Sequence, residues 1–311
     1  MERATSAELA AMKERLQQRS RILAAIRKFF TTHDFMEVET PVRLPAPALE
    51  LHLDAVPADG EFLRTSPELH MKRMLAAGYA RIFQMGPCFR RNEQGKIHHP
   101  EFTMLEWYRA NADYRDILAG MKALVAFVCA EALDGRTRVD YGGHTIELMP
   151  VWDVVTVEEA FGGFAGWNPL KAYDADRFDR DMVEKVEPAL PKDRPVILKD
   201  YPVEAAALAR VRPGALPVAE RWELYIGGLE LANAFTELTD AAEQRRRFEA
   251  CAQQRAAAGR AVYPVDEAFL AALEAGMPPS GGVALGVDRL VMLLTGADSI
   301  ADVRSFCERI W

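Results

Sequence analysis

Cysteine is scarce in this chain: Cys88, Cys129, Cys251 and Cys307 are the only four in 311 residues, and they stand far apart. None forms a Cys-x-x-Cys pair and no histidine lies at ligand spacing from them, which argues against a disulfide framework or a zinc ribbon and for reduced thiols. Long apolar runs are also missing. The longest, such as residues 123–130, fall far short of the ~20 residues that a bilayer-spanning helix needs. The opening Met-Glu-Arg-Ala has no apolar leader core, so the expected location is the cytoplasm. Positive charge is in deficit as well: 38 Lys and Arg against 46 Asp and Glu give a net charge of −8. That balance argues against a broad nucleic-acid footprint, although a local basic strip remains compatible with it. There is no internal repeat, no low-complexity segment, no dinucleotide-type glycine fingerprint and no Walker lysine.

What is present is an ordinary globular composition, 50% hydrophobic and 27% charged. Apolar residues at helical spacing predict one long helix over residues 7–31, or two broken near Ser20. Strands are expected at 36–41, 50–56 and 61–65, and a helix at 67–77 with Ser66 as its N-cap. Residues 81–89 and 101–107 read as strands around a polar loop, and 113–132 as a helix. Gly142-Gly143 marks a hairpin turn. Further helices are expected at 174–186, 241–258 and 266–275, and strands at 195–199, 222–228 and 230–238. Residues 281–295 then run from a glycine-rich strand into a last helix. Hairpin-linked strands with interspersed helices indicate an α+β fold around a mainly antiparallel sheet.

Three segments carry chemistry. In Phe89-Arg90-Arg91-Asn92-Glu93-Gln94-Gly95-Lys96-Ile97-His98-His99-Pro100-Glu101-Phe102, an arginine at a strand end opens a loop rich in cationic groups. Guanidinium matches phosphate oxygens two at a time, so the loop suits a polyanion, although an isolated basic loop is more often a solvated hairpin tip. Extended chain would point His98 and His99 to opposite faces, which argues against a histidine metal site. The second segment is acidic. Glu223, Glu230, Asn233 and Glu237 interrupt an apolar run, with Glu106 and Tyr108 in MLEWYR and Glu68 in TSPELH. Acids among large apolar residues need cationic partners, either Mg²⁺ beside a nucleotide, a substrate ammonium, or structural Arg and Lys. Glu68, early in a helix, is also explained by the helix N-terminus alone. In the third segment, Gly281 to Leu290, glycines flank small apolar residues ahead of Arg289, which allows close approach to a flat ligand.

Taken in order, these segments resemble the signature motifs of class II aminoacyl-tRNA synthetases. Phe35-Met36-Glu37-Val38-Glu39-Thr40-Pro41 resembles motif 1, Phe89-Arg90 through Glu101-Phe102 motif 2, and Gly282 through Arg289 motif 3. The likeness to lysyl-tRNA synthetase catalytic domains runs from about Arg19 to Phe306. TSPELHMKR, LELANAFTELTDA and GVALGVDRL are more similar still to the truncated paralogues, the bacterial elongation factor P–(R)-β-lysine ligases. These have alanine where Ala284 stands and the synthetases have glycine. The resemblance implies a class II synthetase-like catalytic domain, expected as one unit over residues 1–311 without the N-terminal anticodon-binding OB-fold.

It also implies roles for single residues. Arg90 and Arg289 are the expected catalytic residues. ATP is expected on Arg90, Asn92, Glu93, His98, Phe102, Glu230 and Arg289, and Mg²⁺ on Glu223 and Glu230. Glu106, Tyr108 and Glu237 are expected around the ε-ammonium, Glu68 at the other amine, Asn233 at the carboxylate, and Ala284 against the substrate. Asn92 stands where the synthetases have glutamate and Glu93 follows it, which leaves a choice of register in the loop. The implied reaction activates (R)-β-lysine or lysine as an adenylate and transfers it to a lysine of elongation factor P, within a homodimer. Transfer to tRNA and a non-catalytic regulator are the alternatives.

Overall fold

The computed structural model describes residues 5–205 and 208–307; the opening Met-Glu-Arg-Ala lies outside them. Among these residues a nine-stranded sheet organises the chain. Its strands run in the order Met36–Glu37, Arg81–Phe89, Glu101–Ala110, Ser280–Gly286, Leu229–Thr236, Val218–Ile226, Val196–Tyr201 and Asp153–Thr156, with Val211–Arg212 paired beside Val218–Ile226. Only the two outermost pairings, Met36–Glu37 on Arg81–Phe89 and Asp153–Thr156 on Val196–Tyr201, are parallel. The expected α+β class and mainly antiparallel sheet are what the chain adopts.

Alternation along the central strands sorts core from cavity, because successive side chains leave a strand on opposite faces. Leu105 and Trp107, Trp222 and Leu224, Ala232 and Ala234, and Val283 and Leu285 enter one hydrophobic core. That core is closed by the helices Lys13–Thr32, Tyr114–Ala132 and Val287–Thr295. The intervening Glu106 and Tyr108, Glu223 and Tyr225, Asn233 and Glu237, and Gly282 and Ala284 line a cavity on the opposite face.

Local chemistry explains the element ends. Asp113 caps the Tyr114–Ala132 helix and Asp116 returns the bond, forming a capping box. Ser66 Oγ accepts from the Glu68 N–H at 2.9 Å and starts the Glu68–Ala76 helix, one residue later than expected. Other expectations are corrected. The N-terminal helices Ser6–Ala11 and Lys13–Thr32 divide at Met12 rather than near Ser20, because the capping box of Thr5 and Glu8 serves the short first helix. Residues 50–54 form no strand. Arg255, with no exposed surface, takes up their backbone acceptors: it donates to the carbonyls of Glu50, Leu51 and Leu53 and to the Asp54 carboxylate. The residues expected helical over 174–186 are α-helical at Ala175–Asp181 and continue as a π-helical turn, Met182–Val186. The edge strand Asp153–Thr156 had no distinctive sequence signal. No helix of the described residues is long and apolar enough to cross a membrane.

Candidate active site

One cavity of about 580 Å³ collects residues from eight stretches of the chain, between Glu50 and Ile300. Arg90 follows the Arg81–Phe89 strand, and its N–H donates to the Pro100 carbonyl at 2.8 Å, which closes the base of the polar loop. Its guanidinium lies 5.1 Å from the centre of the Phe102 ring, and its Nη1 is 3.8 Å from Glu93 Oε1. The Arg90 Nε is buried with no hydrogen-bond partner among the described residues. Such a donor is what an anionic ligand would satisfy.

Arg289 arrives from the far end of the chain, in the first turn of the Val287–Thr295 helix. Its Nη1 donates to the Glu230 carbonyl at 2.8 Å and lies 3.7 Å from Glu230 Oε2. Its Nη2 is 2.6 Å from His98 Nε2. Burial and then the Arg289 charge lower the His98 pKa, so the imidazole is neutral and accepts from the guanidinium. His99 is buried, with Nδ1 2.7 Å from the Glu101 carbonyl. The segment is not extended, and both histidines border the cavity rather than facing opposite sides.

The acids fall into two groups. In the first, Glu223 accepts from Tyr201 Oη at 2.5 Å, Tyr225 Oη at 2.7 Å and the Arg221 guanidinium. The Glu230 side chain keeps 44% of its surface open to the cavity. Its pKa is nonetheless raised, first by burial of the carboxylate in the cleft and then by the Glu223 charge. Two carboxylates that repel each other beside two arginines can share a cation whose remaining ligands come from phosphate and water, the arrangement Mg²⁺ favours. Glu230 has a free oxygen for this, whereas Glu223 is already held by three donors. Among the described residues no three His, Cys, Asp or Glu groups could hold a metal alone. Glu230 and Glu223 could therefore hold Mg²⁺ only where further ligands complete its shell.

At the other end, Glu106 is 1% exposed and accepts from Ser66 Oγ at 2.6 Å and Tyr108 Oη at 2.9 Å. Burial, followed by the Glu68 charge, pushes its pKa up to about 8. Glu237 is equally buried and Glu68 nearly so. Gly282 allows Tyr108 and Glu237 to close on the strand. A Cβ there would lie 2.3 Å from Tyr108 Cε1 and 2.5 Å from Glu237 Oε1, too near for any side chain. Ala284 lies between Asn233 and Glu106 in the sheet register, its methyl at the junction of the two ends. Asn233 Oδ1 accepts from Arg221 Nε at 3.1 Å.

Every site residue expected from the sequence lines this cavity except Asn92. Asn92 adopts a left-handed conformation, φ 66°, and is exposed on the loop turn. Asparagine tolerates that geometry better than most residues. Glu93 lines the cavity instead.

Other residues in the cavity wall or buried behind it escaped the sequence reading. Lys72 lies between Glu68 and Glu237, although its i, i+4 spacing from Glu68 on a predicted helix was a usable signal. Arg221, Tyr201, Tyr225, Glu50 and Glu187 also line the cavity. The Glu50 carboxyl is raised to about 6, first by burial, despite the pull of Arg90.

Comparison with known proteins accords with this geometry. Residues 2–309 match the family of class II tRNA synthetases (D, K and N). The chain belongs to that family. Among its relatives, the elongation factor P–(R)-β-lysine ligase of Haemophilus influenzae strain PittGG is 40% identical, over 94% of both chains. The Proteus mirabilis ligase of the same name is also 40% identical over 94% of both. The lysine–tRNA ligase of Moorella thermoacetica is 40% identical too, over 93% of this chain but 64% of its own. The chain thus spans less than two thirds of the length of that class II synthetase.

Proposed function

We propose that this class II synthetase relative uses ATP to activate (R)-β-lysine, or lysine, as an aminoacyl-adenylate and transfers it to a lysine side chain of elongation factor P. The observation that carries the reading is the shared cavity: Arg90 and Arg289 stand at one end and Glu68, Glu106 and Glu237 at the other. A nucleotide and a diamino acid would meet between them. The ligases that match over 94% of both chains support elongation factor P as acceptor.

In this reading the substrate carboxylate attacks the α-phosphorus, pyrophosphate leaves, and the acceptor amine then attacks the mixed anhydride and releases AMP. Arg90 binds the α-phosphate and the carboxylate and holds them in line, while Phe102 stacks on adenine. Arg289, kept in place by the Glu230 carbonyl and neutral His98, neutralises the departing phosphates. Positioning and charge stabilisation account for catalysis, with no covalent enzyme intermediate. Glu230 and Glu223 would hold Mg²⁺, which supplies charge neutralisation on the triphosphate. Asn233 faces the carboxylate, Tyr108 and Ala284 the chain of the diamino acid, and Glu93 the nucleotide. The chain acts as one catalytic unit in the cytoplasm, and as a homodimer through residues 35–41. The edge strand Met36–Glu37 and the 55% exposed side chain of Met36 suit that contact.

The Moorella lysine–tRNA ligase, at the same identity, favours a second reading in which tRNA is the acceptor. Incubation with ATP, labelled (R)-β-lysine or lysine, elongation factor P and bulk tRNA distinguishes the two. Label on the protein is expected. Label on tRNA alone would overturn the acceptor, and no AMP formation with any amino acid would mark a non-catalytic protein.

A further inference from the structure

Arg221 precedes Glu223 by two residues on the Val218–Ile226 strand, so both side chains leave the same face of the sheet and line the cavity. Asn233, on the Leu229–Thr236 strand, stands directly across from Glu223. Two such neighbours would ordinarily pair, the carboxylate accepting from the amide. Here Arg221 comes between them. Its Nη2 donates to Glu223 Oε1 and its Nε to Asn233 Oδ1, the latter at 3.1 Å. The guanidinium itself is held on three sides. Its Nη1 donates to the Ala205 carbonyl at 2.5 Å, and its centre lies 4.4 Å from that of the Tyr201 ring and 5.7 Å from that of Phe235. Tyr201 and Tyr225 donate to Glu223 Oε2, so both oxygens of that carboxylate are engaged. A guanidinium has donors and no acceptor, so only the oxygen of the Asn233 amide can face it. The Asn233 Nδ2 is thereby turned away from Arg221, on a side chain that lines the cavity, and it has no acceptor among the described residues.

We propose that Arg221 is a positioning residue that fixes the Asn233 amide with its N–H groups toward the carboxylate of the bound amino acid. The inference rests on the functional reading above, which puts the substrate carboxylate at Asn233, and deepens it. Arg221 acts twice on the same amide. It takes the amide oxygen, and it occupies the Glu223 oxygen that would otherwise draw the N–H groups across the strand pair. Without it, Glu223 would accept from Asn233 and the amide would present its oxygen to the ligand, where it repels a carboxylate. An arginine that merely supplied positive charge would instead act on the ligand directly, whatever residue stood at position 233.

The test is equilibrium binding of (R)-β-lysine and lysine, without ATP, to wild-type protein, Arg221→Met, Asn233→Ala, the double variant and Asn233→Asp. Arg221→Met should bind its ligand at least ~10-fold more weakly, the scale of one lost charge-assisted hydrogen bond. Made in the Asn233→Ala background, the same substitution should cost less than about twofold. Retained affinity in Arg221→Met overturns the inference, as does an equal loss in both backgrounds, the mark of a direct charge effect or of general damage. Asn233→Asp supplies a second measurement that leaves Arg221 in place. One carboxylate oxygen still pairs with the guanidinium and the other meets the ligand carboxylate, so this variant should bind at least ~10-fold more weakly than Asn233→Ala. Affinity equal to or above that of Asn233→Ala overturns the inference, because an oxygen and not an N–H would then suit the ligand. Melting temperatures identify any variant that does not fold; if Arg221→Met is one, the nearly isosteric Asn233→Asp decides alone. Wild type that binds neither amino acid overturns the functional reading together with this inference. Binding by wild type that is unaltered in Arg221→Met overturns the inference alone.

Discussion

Binding of a diamino acid should expel protons from this protein, and Glu106 determines how many. Its pKa of about 8 leaves the buried carboxyl about nine-tenths protonated at pH 7. The groups facing it are Glu68 and Lys72 from the helix, Tyr108 on its own strand, Ser66, and Cys88 from the neighbouring strand. An incoming ammonium pairs with the ionised form only, so about 0.9 proton should leave Glu106 at pH 7 and about 0.5 at pH 8. Affinity should therefore rise about 10-fold from pH 7 to its plateau above pH 8, or ~1.4 kcal/mol. The ε-ammonium, with an ordinary pKa of ~10.4, stays charged throughout. Glu237, pushed upward by burial, adds to the release in the same direction. The assay is titration calorimetry without ATP between pH 6.5 and 8.5, in phosphate and in Tris, because the buffers' different ionisation enthalpies report the proton count. An enthalpy independent of buffer at pH 7, with a flat affinity profile, would refute the reasoning.

Four further outcomes are expected. Glu106→Gln should change the pH dependence of stability: a carboxyl raised in the folded state contributes stability below its unfolded pKa of ~4.5 that is lost as pH rises through about 8. The Gln variant should thus gain melting temperature relative to wild type at pH 8.5 over pH 5.5, and a constant difference would contradict the assignment. Arg90→Ala should lower kcat/KM for ATP–pyrophosphate exchange by ~100–1,000-fold, the effect of one critical donor, and Arg90→Lys should recover little because the paired donors are lost. Ala284→Gly should shift preference toward α-lysine by at most ~10–200-fold, the reach of a single methyl group, as measured by competing the two amino acids for AMP formation. Chelation of Mg²⁺ should abolish exchange, and Glu230→Gln should raise the Mg²⁺ concentration needed to restore it.

The residues most legible in the sequence were those whose roles repeat along a strand. The alternation of Trp222, Glu223, Leu224 and Tyr225 announces one apolar and one polar face before any coordinates exist, and so does Leu105-Glu106-Trp107-Tyr108. The capping box at Asp113 and Asp116 and the Gly142-Gly143 hairpin likewise follow from local chemistry. Less legible were residues whose roles depend on partners far along the chain. Tyr201 lies just past the strand expected at 195–199 and carries no signal of its own until Glu223 is found 2.5 Å away. Lys72 reads as a solvent-facing helix lysine until the sheet places Glu237 against it. Residues 50–54 satisfy the local pattern of a strand but give their carbonyls to Arg255 instead, a competition invisible to any short window.

The Arg255 anchor also bears on how substrate preference can drift. Glu50, Leu51 and Leu53 form part of the cavity wall, yet their backbone is fastened from a helix about 200 residues downstream that contributes nothing to that wall. A mutation in that distant helix can therefore tilt the wall without touching any ligand. Lineages can retune what the enzyme accepts while every contacting side chain stays unchanged.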